Sequence, residues 1–186
     1  CSVCFLCLYQ PFMKIWMGED MMFPMPTVIL LVIYYFTWQM RVTVINFKDA
    51  AGIWNADFWK PYVAAIVNLF TNILLVNLIG INGVFISTII CMVLINFPWE
   101  TNVLFKELFH KSPCHFYLRQ CIIAIRTVFA CLISAFVCSL VSIEGIPGLI
   151  LKMVICVIVP NALFVLLSCK TTEFRYWTKR ILKLKK

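Results

Sequence analysis

Charged side chains are scarce in this chain of 186 residues, at 13%. Soluble domains carry about 25%. Between Pro61 and Trp99 the chain has 39 consecutive residues without Asp, Glu, Lys or Arg. A bilayer core of about 30 Å needs about 20 helical residues, so this stretch is long enough for two spans. Gly80 and Gly83 divide it and permit a tight turn. The scarcity of charge excludes a soluble domain and predicts an integral membrane protein.

The apolar windows also lack the alternation of apolar and polar residues that is typical of barrel strands, which favours helices. We predict complete spans over residues 21–40, 61–79, 81–99, 120–143 and 145–169. Residues 1–13 are apolar but too short to cross, and we expect them to be the end of a sixth helix that begins upstream. The predicted fold is an all-α polytopic bundle over residues 1–169, followed by a basic tail over 170–186.

Positive charge is distributed unevenly over this predicted topology. Thirteen of the sixteen Lys and Arg residues fall in segments 41–60, 100–119 and 170–186, whereas the opposite side has Lys14 alone. By the positive-inside rule, those three segments and the C-terminus are cytoplasmic. The net charge of +8 then reflects topology and attraction to lipid headgroups, and we predict no nucleic-acid partner. Aromatic residues in segment 46–59 predict a short interfacial helix there.

Motifs of the common enzyme classes are missing. The sequence has no nucleotide-binding glycine loop, no GxSxG elbow and no HExxH pair, so we predict no enzyme activity and no cofactor. Its ten cysteines lie mostly in apolar segments, where we expect them to pack as small apolar side chains. His110, Cys114 and His115 lack a fourth ligand, so no metal site is predicted.

The polar residues inside the predicted spans are the candidate substrate-binding residues: Arg126, Asn68 and Asn72. Arg126 follows Arg119 by two helical turns and lies on nearly the same face. It either snorkels to the headgroups or faces a water-filled cavity, where its guanidinium could bind a phosphate bidentately. Asn68 and Asn72 share a helix face, and they either hydrogen-bond to another helix or line such a cavity.

Several short segments stand out by their order along the chain. They are PFMKIWMG at 11–18, NFKDAAGIW at 46–54, WKP at 59–61, AIVNLF at 65–70, GINGVFISTII at 80–90 and PWE at 98–100. Together they resemble the C-terminal half of bacterial polysaccharide flippases, the lipid-linked oligosaccharide exporters of the multidrug/oligosaccharidyl-lipid/polysaccharide superfamily. Beyond residue 100 the resemblance rests on the pattern of spans alone.

This resemblance implies a twelve-helix transporter of two six-helix bundles, of which the chain would supply the second. It implies movement of an oligosaccharide repeat unit, attached by pyrophosphate to a polyisoprenoid, across the bacterial inner membrane for export of cell-surface polysaccharide. The implied partners are that lipid-linked substrate, the membrane lipids and an N-terminal bundle of the same protein. The family's cavity is cationic, which suits Arg126 as a lining residue.

Other functions stay open at this point. A cation-coupled multidrug or metabolite exporter of the same superfamily would need an intramembrane carboxylate, and none of the predicted spans contains one. A lipid II flippase is a closer alternative. A membrane enzyme of polysaccharide assembly would be expected to carry a large outer loop with catalytic Arg or His, whereas the predicted outer loops are short, with Lys14 as their only cation.

Overall fold

A computed structural model of the chain describes residues 2–141, 143, 145–169, 174, 176 and 180, the side chain of Ser168 excepted. These residues form helices and turns, and no strand occurs among them. Five helical segments are long and apolar enough to cross a membrane: Met25–Ala50, Asn55–Ile79, Ile81–Phe109, Cys114–Ser139 and Gly145–Leu167. The prediction of an all-α, multi-pass membrane protein is therefore confirmed. The predicted tail over 170–186 lies almost entirely outside the described residues.

The helices are numbered in chain order. They are α1 (Ser2–Trp16), α2 (Met25–Ala50), α3 (Lys60–Ile79), α4 (Ile81–Cys91), α5 (Phe97–Leu104), α6 (Cys114–Ser139) and α7 (Gly145–Ser168), with single 3₁₀ turns at Glu19–Met21 and Asn55–Asp57. Because α2 continues to Ala50, the separate interfacial helix expected over residues 46–59 is not formed. Buried ion pairs of Arg41 with Glu100 and of Lys48 with Asp57 hold the second half of α2 against its neighbours.

Between Ile81 and Phe109 the chain is helical without interruption, but it contains two π-helical turns. The first, Met92–Asn96, comes just before Pro98. A proline within a helix has no N–H to donate, and its ring collides with the carbonyl four residues earlier, so the wider π turn relieves that collision. The second π turn, Phe105–Phe109, ends at His110, which adopts a left-handed conformation (φ 50°).

The chain divides into two compact units. We call Phe23–Cys121 the hairpin unit, after the antiparallel pair that α3 and α4 form within it. Gly80 makes the turn of this pair with φ +63°, a conformation that side chains other than glycine rarely adopt. At Gly83 the two helices come so close that a Cβ atom would overlap the Leu75 carbonyl and lie 2.8 Å from the Val76 nitrogen.

The second compact unit, which we call the terminal unit, comprises Val3–Met22 and the residues from Ile122 onward. It contains α1, most of α6 and α7. Its buried centre is formed by small and medium apolar side chains: Val3, Cys138 and Cys156, with Cys4, Cys7, Leu8, Cys131 and Ile155 packed against them. Many large apolar side chains of α6 and α7 are exposed, as expected of surfaces that face lipid.

Candidate functional site

The most highly charged part of the described structure is buried in the hairpin unit. Five ionisable side chains meet there, and we call them the charge cluster: Arg41 and Lys48 of α2, Asp57 of the second 3₁₀ turn, Lys60 of α3 and Glu100 of α5. Buried charges are normally paired, because an unpaired charge loses its hydration without compensation. Each of the five side chains in this cluster takes part in an ion pair.

Glu100 stands at its centre. Its side chain is 1% exposed. Arg41 forms a bidentate pair with it, with Nε 3.0 Å from Oε2 and Nη2 2.7 Å from Oε1. Lys60 donates a further hydrogen bond to Oε1 over 2.6 Å. The Arg41 guanidinium also lies over the Trp38 ring, 5.3 Å from its centroid, a favourable cation–π distance. Both carboxylate oxygens of Glu100 are thus occupied by cations of the protein.

Asp57 forms the second half of the charge cluster. Its Oδ2 pairs with the Lys48 ammonium and lies 3.0 Å from Lys60 Nζ, so Lys60 bridges the two carboxylates. The other oxygen, Oδ1, is buried without a hydrogen-bond partner among the described residues. Three cations against two carboxylates leave the cluster with one excess positive charge.

Local structure explains how these residues reach one point. Arg41 and Lys48 are seven residues apart, two helical turns, and so they share the face of α2 that packs inward. Lys60 begins α3, three residues after Asp57, the last residue of the 3₁₀ turn. The cluster therefore connects the second half of α2, the start of α3 and the middle of α5. It contains no hydroxyl or thiol group, and its five side chains form a network of ion pairs with one excess positive charge.

The charge cluster corrects one inference from the sequence. Glu100 follows the predicted span 81–99 by one residue, but it is completely buried and lies within the apolar segment Ile81–Phe109. A carboxylate is therefore present in a candidate span. The sequence could have predicted its pairing, because Arg41, Lys60 and Glu100 lie at the same predicted membrane boundary in neighbouring segments.

Asn68 and Asn72 lie on the α3 face that meets α4. Ser87 of α4, which is fully buried, donates a hydrogen bond to Asn72 Oδ1, and Asn72 Nδ2 lies 3.3 Å from Asn68 Oδ1. Sequence reasoning did not include Ser87 in this group. The contacts match the interhelical hydrogen bonding that was one of the two interpretations of these asparagines. Their amide groups are engaged within the hairpin unit.

Arg126 lies at the middle of α6, twelve residues after Cys114 and thirteen before Ser139. It precedes Ala130, which is buried, by one helical turn, and it is itself half-buried. Among the residues that the structure describes, it makes no ion pair and no side-chain hydrogen bond. Arg126 belongs to the terminal unit, whereas Asn68 and Asn72 belong to the hairpin unit.

The terminal unit also contains a cavity of about 510 Å³. Its lining is mainly apolar, with Lys14 of α1 and Lys152 of α7 as its two cations. Lys14 pairs with Glu19 over 2.7 Å, and this ion pair lowers the pKa of the Glu19 carboxyl. The volume is within the range of small-molecule pockets, about 300–1,000 Å³.

Comparisons of the chain with protein-family models, with curated proteins and with solved structures found no match.

Proposed function

We propose that this chain forms one helical bundle of a transporter that moves a polyisoprenoid-pyrophosphate-linked oligosaccharide across the bacterial inner membrane. The proposal combines the five candidate spans with the ordered segments that resemble polysaccharide flippases. The observation that carries it is the position of Arg126: half-buried, in the middle of a span, and without a counter-ion among the described residues. An intramembrane arginine of this kind requires an explanation, and an anionic substrate supplies one.

The physical task of such a transporter fits these residues. A sugar headgroup with pyrophosphate cannot enter hydrocarbon, whereas its polyisoprenoid tail can stay in the bilayer. The pathway therefore needs cations at the depth where the pyrophosphate crosses, and a guanidinium binds phosphate oxygens in pairs through its planar fork. Arg126 would provide this contact at mid-span. Lys152, which lines the same cavity as the paired Lys14, would provide further positive charge on the predicted outer side.

Genetic complementation tests the proposal. A strain that lacks the chromosomal copy receives the full-length protein with Arg126→Gln, Arg126→Lys or, as a matched control, Arg119→Gln. Arg119 is the exposed arginine two turns earlier on α6. We expect Gln at 126 to abolish surface polysaccharide at normal membrane abundance and Lys to restore it in part, because an ammonium retains the charge but lacks the bidentate fork. The Arg119 variant should resemble wild type.

Normal polysaccharide with Arg126→Gln would contradict this role and leave Arg126 as a headgroup anchor.

The location of the accumulated intermediate separates a flippase from an assembly enzyme. Loss of a flippase leaves the lipid-linked repeat unit in the inner leaflet, inaccessible to reagents outside the cell. Loss of a polymerase or ligase leaves it accessible in the outer leaflet. A lipid II flippase would instead be recognised by cell lysis on depletion of the protein.

A cation-coupled exporter is the second candidate, and buried Glu100 favours it. A coupling cation that bound to this carboxylate would displace Arg41 or Lys60 from it, which is one way to couple ion binding to helix movement. Transport by this route should stop in membrane vesicles when the proton and sodium gradients are dissipated. Undiminished transport without gradients would instead leave Glu100 as a structural residue.

A further inference from the structure

Three cysteine thiols converge in the terminal unit. Cys7 of α1, Cys138 of α6 and Cys156 of α7 place their Sγ atoms within 4.8 Å of one another. The Sγ atoms of Cys138 and Cys156 are 3.7 Å apart. These two residues are 6% and 2% exposed, Cys7 is half-buried, and none of the three is in a disulfide. Each thiol comes from a different helix, so helix packing creates the group and no local sequence motif does.

We propose that Cys7, Cys138 and Cys156 form a binding site for a soft monovalent metal ion, copper(I) being the physiological candidate. Sulfur ligands are soft, and they select copper(I) over the hard divalent cations. Structural zinc sites use four ligands in a tetrahedron. Here three sulfurs are grouped, and no His, Asp or Glu among the described residues joins them. The donor set therefore suits a three-coordinate soft ion better than zinc.

The spacing of the sulfurs fits such an ion. A metal ion at the centre of three sulfurs, about 2.3 Å from each as zinc is from thiolates, would hold the sulfurs about 4.0 Å apart. The observed separations are 3.7 Å for Cys138 and Cys156 and no more than 4.8 Å for the other two pairs. The ideal spacing lies within these limits. The adjustment needed is small, because no pair of sulfurs is farther apart than 4.8 Å.

Charge decides how the ion would be held. Three thiolates around copper(I) would carry two negative charges in an apolar core, whereas two thiolates and one neutral thiol carry one, which costs less to bury. Binding then releases two protons, and the apparent affinity should fall as the pH is lowered.

Simple packing is the competing explanation, since cysteine often behaves as a small apolar residue. Cys4 and Cys131 pack against the same core in that manner. Packing alone, however, does not require three Sγ atoms to point to one site, because alanine or valine would fill similar space. The meeting of three sulfurs from three helices is what favours a ligand.

Copper(I) titration of the reduced, purified full chain in detergent tests the proposal, with a chelator buffering the free copper at a concentration too low for single thiols. Wild type should retain one copper per chain, and X-ray absorption should find sulfur ligands only. Cys138→Ala and Cys156→Ala should each weaken binding at least about tenfold. Cys121→Ala and Cys169→Ala, which remove exposed cysteines, should leave binding unchanged.

The two wild-type measurements do not depend on how well the variants fold. The proposal is overturned if wild type retains no stoichiometric copper, or if the bound copper has nitrogen or oxygen ligands. It is also overturned if the triple alanine variant at positions 7, 138 and 156 binds copper as tightly as wild type. Formation of a Cys138–Cys156 disulfide by mild oxidant, with no copper bound under reducing conditions, would replace the metal site with a redox-active pair.

Discussion

Replacement of Glu100 by Gln is the most direct test of the charge cluster. The substitution retains the size of the side chain but removes the negative charge that faces Arg41 and Lys60. Lys60 keeps Asp57 as a partner, whereas Arg41 loses the only carboxylate with which it pairs in the described structure. The excess charge of the cluster rises from one to two. A buried cation without a partner is the main cost of the change.

The magnitude follows from this geometry. Breaking a buried ion pair by removing one partner costs about 3–5 kcal/mol. For a chain of this size each kcal/mol lowers the unfolding temperature by about 2–4 °C, so we expect a decrease of about 6–20 °C. The assay is thermal unfolding of the purified protein in mild detergent, followed by tryptophan fluorescence. Glu107→Gln is the matched control, since it makes the same chemical change at an exposed position of the same helical segment.

A double substitution separates the cost of leaving Arg41 without a partner from the cost of losing the ion pair as a whole. Arg41→Met combined with Glu100→Leu removes both charges and retains apolar volume, and such replacements are often neutral or stabilising. We expect the double variant to unfold at a higher temperature than Glu100→Leu alone, and with Arg41→Met alone as the fourth corner a double-mutant cycle gives the coupling energy. If Glu100→Gln unfolds at the same temperature as Glu107→Gln, the cluster contributes no net stability and the reasoning is refuted.

Two further predictions concern the helix pair and the orientation. Gly83→Ala should destabilise the protein by about 1–3 kcal/mol, because its Cβ would collide with the backbone of α3 at Leu75 and Val76. Val84→Ala, at the exposed neighbouring position, is the control, and equal unfolding temperatures would contradict the close approach. Cys114 and Cys169 are exposed, and they should react with a membrane-impermeant maleimide only after the cells are permeabilised. Labelling of Cys114 in intact cells would invert the predicted orientation.

The charge cluster contains cations on which the predicted orientation of the chain in the membrane depends. Arg41, Lys48 and Lys60 are all three cations of segment 41–60, and all three are engaged in buried pairs. The positive-inside rule counts Lys and Arg near the ends of spans, and acidic residues nearby contribute little to it. The ion pairs therefore leave the predicted orientation unchanged. The other cations that support the predicted orientation lie in segment 100–119 and in residues 170–186. This is why the labelling of Cys114 is informative.

The sequence alone was sufficient for the class of the protein and for five helical segments that are long and apolar enough to cross a membrane. Hydropathy is a property of each window of about 20 residues and does not depend on where other windows lie. The shared face of Asn68 and Asn72 was predictable for the same reason, since helical periodicity is local. The turn at Gly80 followed from a residue type that permits positive φ.

Only the tertiary structure decided which polar groups meet. Glu100 pairs with Arg41 across 59 positions of sequence, and Asn72 meets Ser87 through the register of two antiparallel helices. The thiols of Cys7 and Cys156 approach each other from opposite ends of the described chain. Such contacts depend on how each helix is rotated about its axis and on how far it slides along its neighbour. Hydropathy and periodicity constrain neither quantity, because many rotations and registers bury similar apolar area, and the choice among them depends on the side chains of all the packed helices together.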